Sequence, residues 1–270
     1  MLSQRILTAF ILAVLFIPAL FLLAREAWIL VTFCVLYGCA WEWAGLSGLT
    51  ALKRIPYTLF IVCIAIVITY TELSWTHKLA YCVSLLFWIL IAPWLLWRRP
   101  RITGIVPRLL MGTVVLIPVQ LALVELRTIM PGLLLAIMAI AWVSDSAAYF
   151  TGRSFGRHKL APDVSPGKTW EGVYGALAAV LSYAIISTLF IKPLITPGWL
   201  AEHSMLPTLL VMLWLVLASA GIVGDLLESY LKRIVGVKDS SGLLPGHGGI
   251  LDRVDALLPI LPIAALFYLG

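Results

Sequence analysis

The sequence predicts an all-α, polytopic integral membrane protein of about nine transmembrane helices, built as a single domain over residues 1–270. Three observations carry that prediction. Hydrophobic residues make up 62% of the chain and charged residues only 12%, far from the mix of a soluble domain. Apolar stretches recur along the whole length and leave no polar stretch long enough for a second domain. The short alternating segments of a closed β-barrel are absent.

A spanning helix needs roughly 17–25 apolar residues. By that measure the spans fall at about 6–24, 28–46, 57–71, 79–97, 109–125, 132–150, 171–191, 208–224 and 256–269. The first begins after Arg5. It is long for a signal peptide and lacks a small-x-small cleavage site before "REAW", so it reads as an anchor. The third and ninth are short, and the ninth carries Pro259 and Pro262. Helices within about 1–130 form an N-terminal group, and about 131–270 form a second portion, which holds the polar clusters that make it the candidate catalytic part.

The loops set an orientation. With nine spans, one side holds Arg5, Lys53, Arg54, Arg98, Arg99, Arg101, Arg108, Arg153, Arg157, Lys159, Lys168, Lys232, Arg233, Lys238 and Arg253. The other holds only Arg25, Lys78, Arg127 and Lys192. Fifteen basic residues against four place the N-terminus in the cytoplasm and the C-terminus outside. The formal charge of +6 therefore marks cytoplasmic loops and membrane lipids as partners, not nucleic acid. Cys34, Cys39, Cys63 and Cys82 show no metal-ligand spacing and read as packing residues. His77, His158 and His203 read as isolated, solvated loop residues.

Polar residues concentrate in two clusters. The stretch from Asp225 to Asp255 holds five of the thirteen acids: Asp225, Glu228, Asp239, Asp252 and Asp255. Lys232, Arg233, Lys238, His247 and Arg253 are interleaved with them. If the eighth helix continues past Gly224, Asp225, Glu228, Ser229 and Lys232 share one face. Asp252 and Asp255, three apart, would share a face at the start of the ninth. Two carboxylate pairs on adjacent helices suit a hard cation such as Mg²⁺, with the basic residues left to hold phosphates. Ordinary solvation of a charged loop is the plainer alternative. Against it, "LPGHGG" sets glycines, which permit close backbone approach, just before a helix start.

The second cluster is "VSDSAAYFTGRSFGRHKLAPDVSPGKTWEG", residues 143–172. Asp145 lies inside the sixth span, and an intramembrane carboxylate is a functional candidate unless Ser144 and Ser146 merely satisfy it. "SPGKT" at 165–169 invites a P-loop reading, but Pro162 stands where that motif needs glycine and no strand is expected before it. What remains is Ser165, Lys168 and Thr169 ahead of the seventh span, as a phosphate-binding cap or a plain helix start with a snorkelling lysine. Glu42, between Trp41 and Trp43 in the second span, has no role assignable from sequence.

The stretch "SYLKRIVGVKDSSGLLPGHGGILDRVD", 229–255, resembles the signature of the phosphatidate cytidylyltransferases, or CDP-diglyceride synthases. Its polar positions are filled by Ser229, Lys232, Arg233, Lys238, Asp239, His247, Gly248, Gly249, Asp252, Arg253 and Asp255. "GDLLES", Asp145 with Tyr149, "RSFG" and "SPGKTWEG" are also similar to the family's C-terminal half, so the specific resemblance covers about 143–255. It implies the reaction of CTP with phosphatidic acid to give CDP-diacylglycerol and pyrophosphate. It further implies Mg²⁺ dependence, a homodimer and a bacterial cytoplasmic membrane with the active site facing the cytoplasm. By residue match, Asp225 and Asp252 would be metal ligands at a two-cation site, with K⁺ a candidate second ion. The catalytic set would be those two with Lys232, Arg233, Lys238, Asp239, His247, Arg253 and Asp255. Asp145, Arg153, Ser165, Lys168, Thr169, Glu171, Glu228, Ser229, Gly248 and Gly249 would contact substrate.

Two other functions share some of these features. A CTP-dependent polyprenol or phytol kinase would need a similar metal and phosphate site, but the signature argues against it. A transporter would explain an intramembrane Asp145. Transporters usually carry repeated halves, whereas the polar residues here gather in the second half.

Overall fold

The computed structural model describes residues 2–71, 73–190, 196, 206–244, 246 and 248–269. Its helices are α1 (Leu2–Leu22), α2 (Arg25–Leu46), α3 (Ala51–Tyr70), α4 (Ser74–Leu86), α5 (Ala92–Arg98), α6 (Ile105–Ile129), α7 (Pro131–Phe155), α8 (Trp170–Phe190), α9 (Leu206–Ile234), α10 (Leu251–Val254) and α11 (Leu257–Leu269). A π-helical turn, Phe87–Ile91, joins α4 to α5 into one apolar rod. Pro93 follows in the first turn of α5, and its ring and missing N–H disfavour a regular i−4 bond there, which the wider turn accommodates.

Seven described helices are long and apolar enough to cross a membrane, and two shorter apolar helices, Ala13–Leu22 and Leu257–Leu269, stand at the ends. The apolar helices follow the expected order, but the expected count of nine spans is not established by length and composition. Several helices outrun their apolar stretches. The third starts at Ala51 because Lys53 and Arg54 do not break a helix. The Arg54 guanidinium turns back to the Leu49 carbonyl (3.1 Å) and over the Trp41 ring.

The core lies around α11. This helix is apolar all round and mostly buried, and it packs on α4, α6, α7 and α9. The N-terminal helices are tied on by a few directed bonds. Arg127 of α6 donates to the carbonyls of Leu20 (2.7 Å) and Leu23 at the end of α1, and its guanidinium lies over Trp28. Trp28 in turn donates to the Leu123 carbonyl at 3.1 Å.

Four sequence expectations are corrected. A strand does precede "SPGKT": β1 (Lys159–Ala161) pairs antiparallel with β2 (Ser165–Thr169), which is "SPGKT" itself. The P-loop remains excluded, because this is a hairpin running into a helix and not a strand of a parallel sheet. His77 is not solvated; its ring meets the Glu125 carboxylate of α6 and the Ile68 carbonyl, and Tyr81 donates to the same Glu125. His158 is exposed, as expected, but not isolated, because its ring meets Glu171. His203 lies outside the described residues. Cys39 alone is buried, while Cys34, Cys63 and Cys82 lie on the outer faces of their helices.

Candidate active site

Helix α9 runs ten residues past Gly224 to Ile234, so the conditional polar face of the sequence exists. It feeds two adjacent polar regions. The first is a cleft of about 390 Å³ between α7, the β-hairpin, α8 and α9, lined by Asp145, Tyr149, Arg153, Ser165, Lys168, Thr169 and Asp225 among others. The Lys168 ammonium is ion-paired with Asp225. Arg153 donates to the Tyr149 hydroxyl at 3.0 Å. Buried Thr169 accepts the Gly172 N–H at 3.2 Å, so its hydroxyl caps the start of α8. Asp145 lies within electrostatic reach of Asp225, Lys168 and Arg253.

Asp255 packs against α9 beside this cleft. A Cβ at Gly224 would fall 2.5 Å from the Asp255 carbonyl oxygen, so only glycine lets α9 reach backbone contact there. Loss of hydration holds the Asp255 carboxyl well above the usual carboxylate range, reinforced by the negative charges of Asp225 and Asp145. Asp145 and Asp225 thus line one cleft, Asp255 lies within reach of their charge, and Lys168 is paired with Asp225.

The second region is buried. Lys232 places its ammonium between Glu228 and Asp252, at 2.6 Å from Asp252 Oδ1. The other Asp252 oxygen accepts the Ser240 N–H (2.9 Å), the Ser240 hydroxyl (2.9 Å) and the Gly249 N–H (2.8 Å). Burial opposes ionisation of Asp252, but Lys232 and these backbone donors outweigh it and hold its pKa at about 2. Asp252 lies in α10, and Asp255, three residues on, keeps helical dihedrals (φ −52°, ψ −46°) at its end. Their partners differ: Asp252 is held by Lys232, Ser240 and Gly249, whereas Asp255 Oδ1 accepts the Ala256 N–H at 2.8 Å.

The remaining sequence candidates sort by what they touch. Arg233 donates to the carbonyls of Val164 (3.2 Å) and Val237 (3.3 Å), tethering the hairpin to the end of α9. Arg99 pairs with Asp163 at the hairpin's tip. Glu171 accepts the N–H groups of Arg157 (3.1 Å) and His158 (3.2 Å), fixing the turn after α7. Ser229 reaches Asp225 at 3.5 Å. Gly248 accepts from Leu244 in a tight bridge with φ +82°. Lys238, Asp239 and Arg253 are exposed. His247 lies outside the described residues.

Comparison with known proteins decides the family. The model of the cytidylyltransferase family matches residues 3–269. The chain belongs to that family. It is 39% identical to the phosphatidate cytidylyltransferase of Pseudomonas aeruginosa, over 98% of this chain and 96% of that one. It is 34% identical to the phosphatidate cytidylyltransferase of Haemophilus influenzae, over 99% of each chain. A stretch of 134 residues is 46% identical to the phosphatidate cytidylyltransferase of Brucella suis, covering 49% of this chain and 44% of that one.

Membership in the cytidylyltransferase family agrees with two basic and acidic regions meeting at the helix mouths. One buried group was not legible as part of them. Glu42, wholly buried in α2, accepts four hydrogen bonds from the signature segment 240–251. No local pattern marks it, because its partners are about 200 residues away. The only sequence signal was the presence of an acid within an apolar span.

Proposed function

We propose that this chain transfers CMP from CTP to phosphatidic acid, giving CDP-diacylglycerol and pyrophosphate. The observation that carries the reading is the Lys168–Asp225 pair, set among Asp145, Asp255 and Arg153 at the mouths of apolar helices. A phosphate oxygen of phosphatidic acid attacks the α-phosphorus of CTP. The bond from that phosphorus to the bridging oxygen breaks, and pyrophosphate leaves. The nucleophile is already an anion, so no strong general base is needed. The obstacle is repulsion between polyanions, and a cleft holding Lys168 and Arg153 lowers it. Its place beside the bilayer lets a lipid headgroup meet CTP while the acyl tails stay in the membrane.

The acid-rich cleft also fits Mg²⁺. Asp225, with Asp145 and Asp255 in reach of its charge, supplies hard oxygen donors. Among the described residues no three such side chains are drawn together closely enough to ligate one ion. An ion held here would therefore complete its shell with phosphate oxygens and water, the usual habit of Mg²⁺. When bound, it would offset the charge that builds on the leaving pyrophosphate. Asp252 as a second ligand, with K⁺ as a second cation, belongs to the same proposal; its Oδ1 now faces Lys232.

The proposal extends to a homodimer in the bacterial cytoplasmic membrane, among its lipids, with the cleft facing the cytoplasm. The test is direct. Purified protein given CTP, phosphatidic acid and Mg²⁺ should form a CDP-lipid and pyrophosphate, and failure to form a CDP-lipid would overturn the reading.

A further inference from the structure

An ionised carboxylate buried among apolar helices is costly unless fully hydrogen-bonded. Glu42 meets that condition in an unusual way. Oε1 accepts the Ser241 hydroxyl (2.6 Å) and the Ile250 N–H (3.0 Å). Oε2 accepts the Leu251 N–H (2.7 Å) and shares the single Ser240 hydroxyl proton (3.0 Å) with Asp252 Oδ2 (2.9 Å). Both ends of the segment that carries the signature glycines are thus tied to one side chain of α2.

The chain of contacts then reaches the charged core of the site. Ser240 also touches Asp252, through both its N–H and its hydroxyl, and Asp252 holds Lys232. Gly249 sits in the same nest. A Cβ there would fall 2.5 Å from Glu42 Oε2 and 2.6 Å from Oε1. The side chain of Ile250 packs where α2 has Gly38, so the segment is seated on α2 by shape as well as by hydrogen bonds.

We infer that Glu42 is a positioning residue, which fixes the 240–251 segment so that Asp252 faces Lys232. It acts through that segment and is not itself in the cleft. This rests on the proposed cytidylyl transfer for its activity readout, but its structural readout does not.

The decisive variant is Glu42→Gln. Each carboxylate oxygen faces a backbone N–H, so the amide NH₂ of glutamine must oppose one N–H in either orientation. Size is kept, and one backbone bond is lost whichever way the amide turns. In hydrogen–deuterium exchange, peptides over 240–252 should exchange at least about tenfold faster in the variant, while those over the 159–169 hairpin stay unchanged. CDP-lipid formation should fall on the order of 100-fold in kcat, with KM for CTP within about threefold. Unchanged exchange over 240–252, or full activity, would overturn the inference. If wild type makes no CDP-lipid, the exchange result still decides the positioning role and only the function fails.

Ser241→Ala covers the case in which Glu42→Gln does not fold. It removes one of the bonds to Glu42 and leaves the carboxyl in place; it also removes the acceptor of the Leu243 N–H (3.1 Å), so the readout is the exchange of the Ile250 and Leu251 amides. The variant should raise that exchange by a smaller factor, about threefold, and lower kcat by a similar factor. Exchange unaltered in Ser241→Ala, with Glu42→Gln unfolded, would assign Glu42 to general stability and reject the positioning role.

Discussion

Lys168, on the second strand of the hairpin, is ion-paired with Asp225 on the long helix α9. The pair joins the two sequence clusters, 143–172 and 225–255, across one cleft. In the proposed reaction Lys168 exchanges this carboxylate for substrate phosphate, leaving Asp225 to the cation.

From that pair follows a coupled loss of activity. Asp225→Asn keeps the size and removes the charge, so the protein should fold while turnover falls by about three orders of magnitude. Lys168→Met should cost about 100-fold. Because the residues act together, the double variant should be little worse than Asp225→Asn alone, as steady-state kinetics would show. EDTA should abolish wild-type turnover, and added Mg²⁺ should restore it. Full activity of Asp225→Asn in metal-free buffer would refute the metal proposal.

Two glycines of the signature segment should behave oppositely. A Cβ at Gly249 would enter the nest of Ser240 and Glu42, whereas one at Gly242 would meet nothing within 4 Å. Gly249→Ala should therefore lower activity by at least about tenfold, and Gly242→Ala should stay within about twofold. Similar effects at both positions would show that the nest is not required in this form.

The membrane helices were legible because apolar length is a direct signal, and the arrangement of their ends was not. Lys53 and Arg54 look like a loop, yet each can extend its charge to the surface from within a helix. The hairpin escaped detection because strands of three and five residues containing Pro166 and Gly167 show no alternation. The polar face from Asp225 to Lys232 was readable because a regular helix makes spacing equivalent to geometry. The spacing of Asp252 and Asp255 did not reveal that Lys232, Ser240 and Gly249 hold Asp252, because those partners lie outside α10. Arg233 and Glu171 also hold backbone in place, which no motif in the sequence shows.

The hairpin's two tethers should differ in weight. Asp163 is exposed, and exposed ion pairs contribute roughly 0–1 kcal/mol, so Asp163→Ala should leave Tm and activity nearly unchanged. Arg233→Ala leaves two carbonyls without their donor and should lower activity by about tenfold. Thermal melts and CDP-lipid assays on both variants compare them directly.

The orientation is proposed from the basic loops and is open to a reporter test. A reporter active only outside the cytoplasm should work when fused after Gly270 and fail when inserted near 160. The reverse pattern would show that the number of spans or the orientation is wrong.

The central claim is that CTP is cut at its α-phosphorus. Attack there moves CMP to the lipid, whereas a kinase would move the γ-phosphoryl group alone. Phosphatidic acid supplied with α-labelled CTP should place label in the lipid fraction, and γ-labelled CTP should release its label as pyrophosphate. Label from the γ position in lipid would contradict cytidylyl transfer, and no label in lipid from either would remove both enzyme readings.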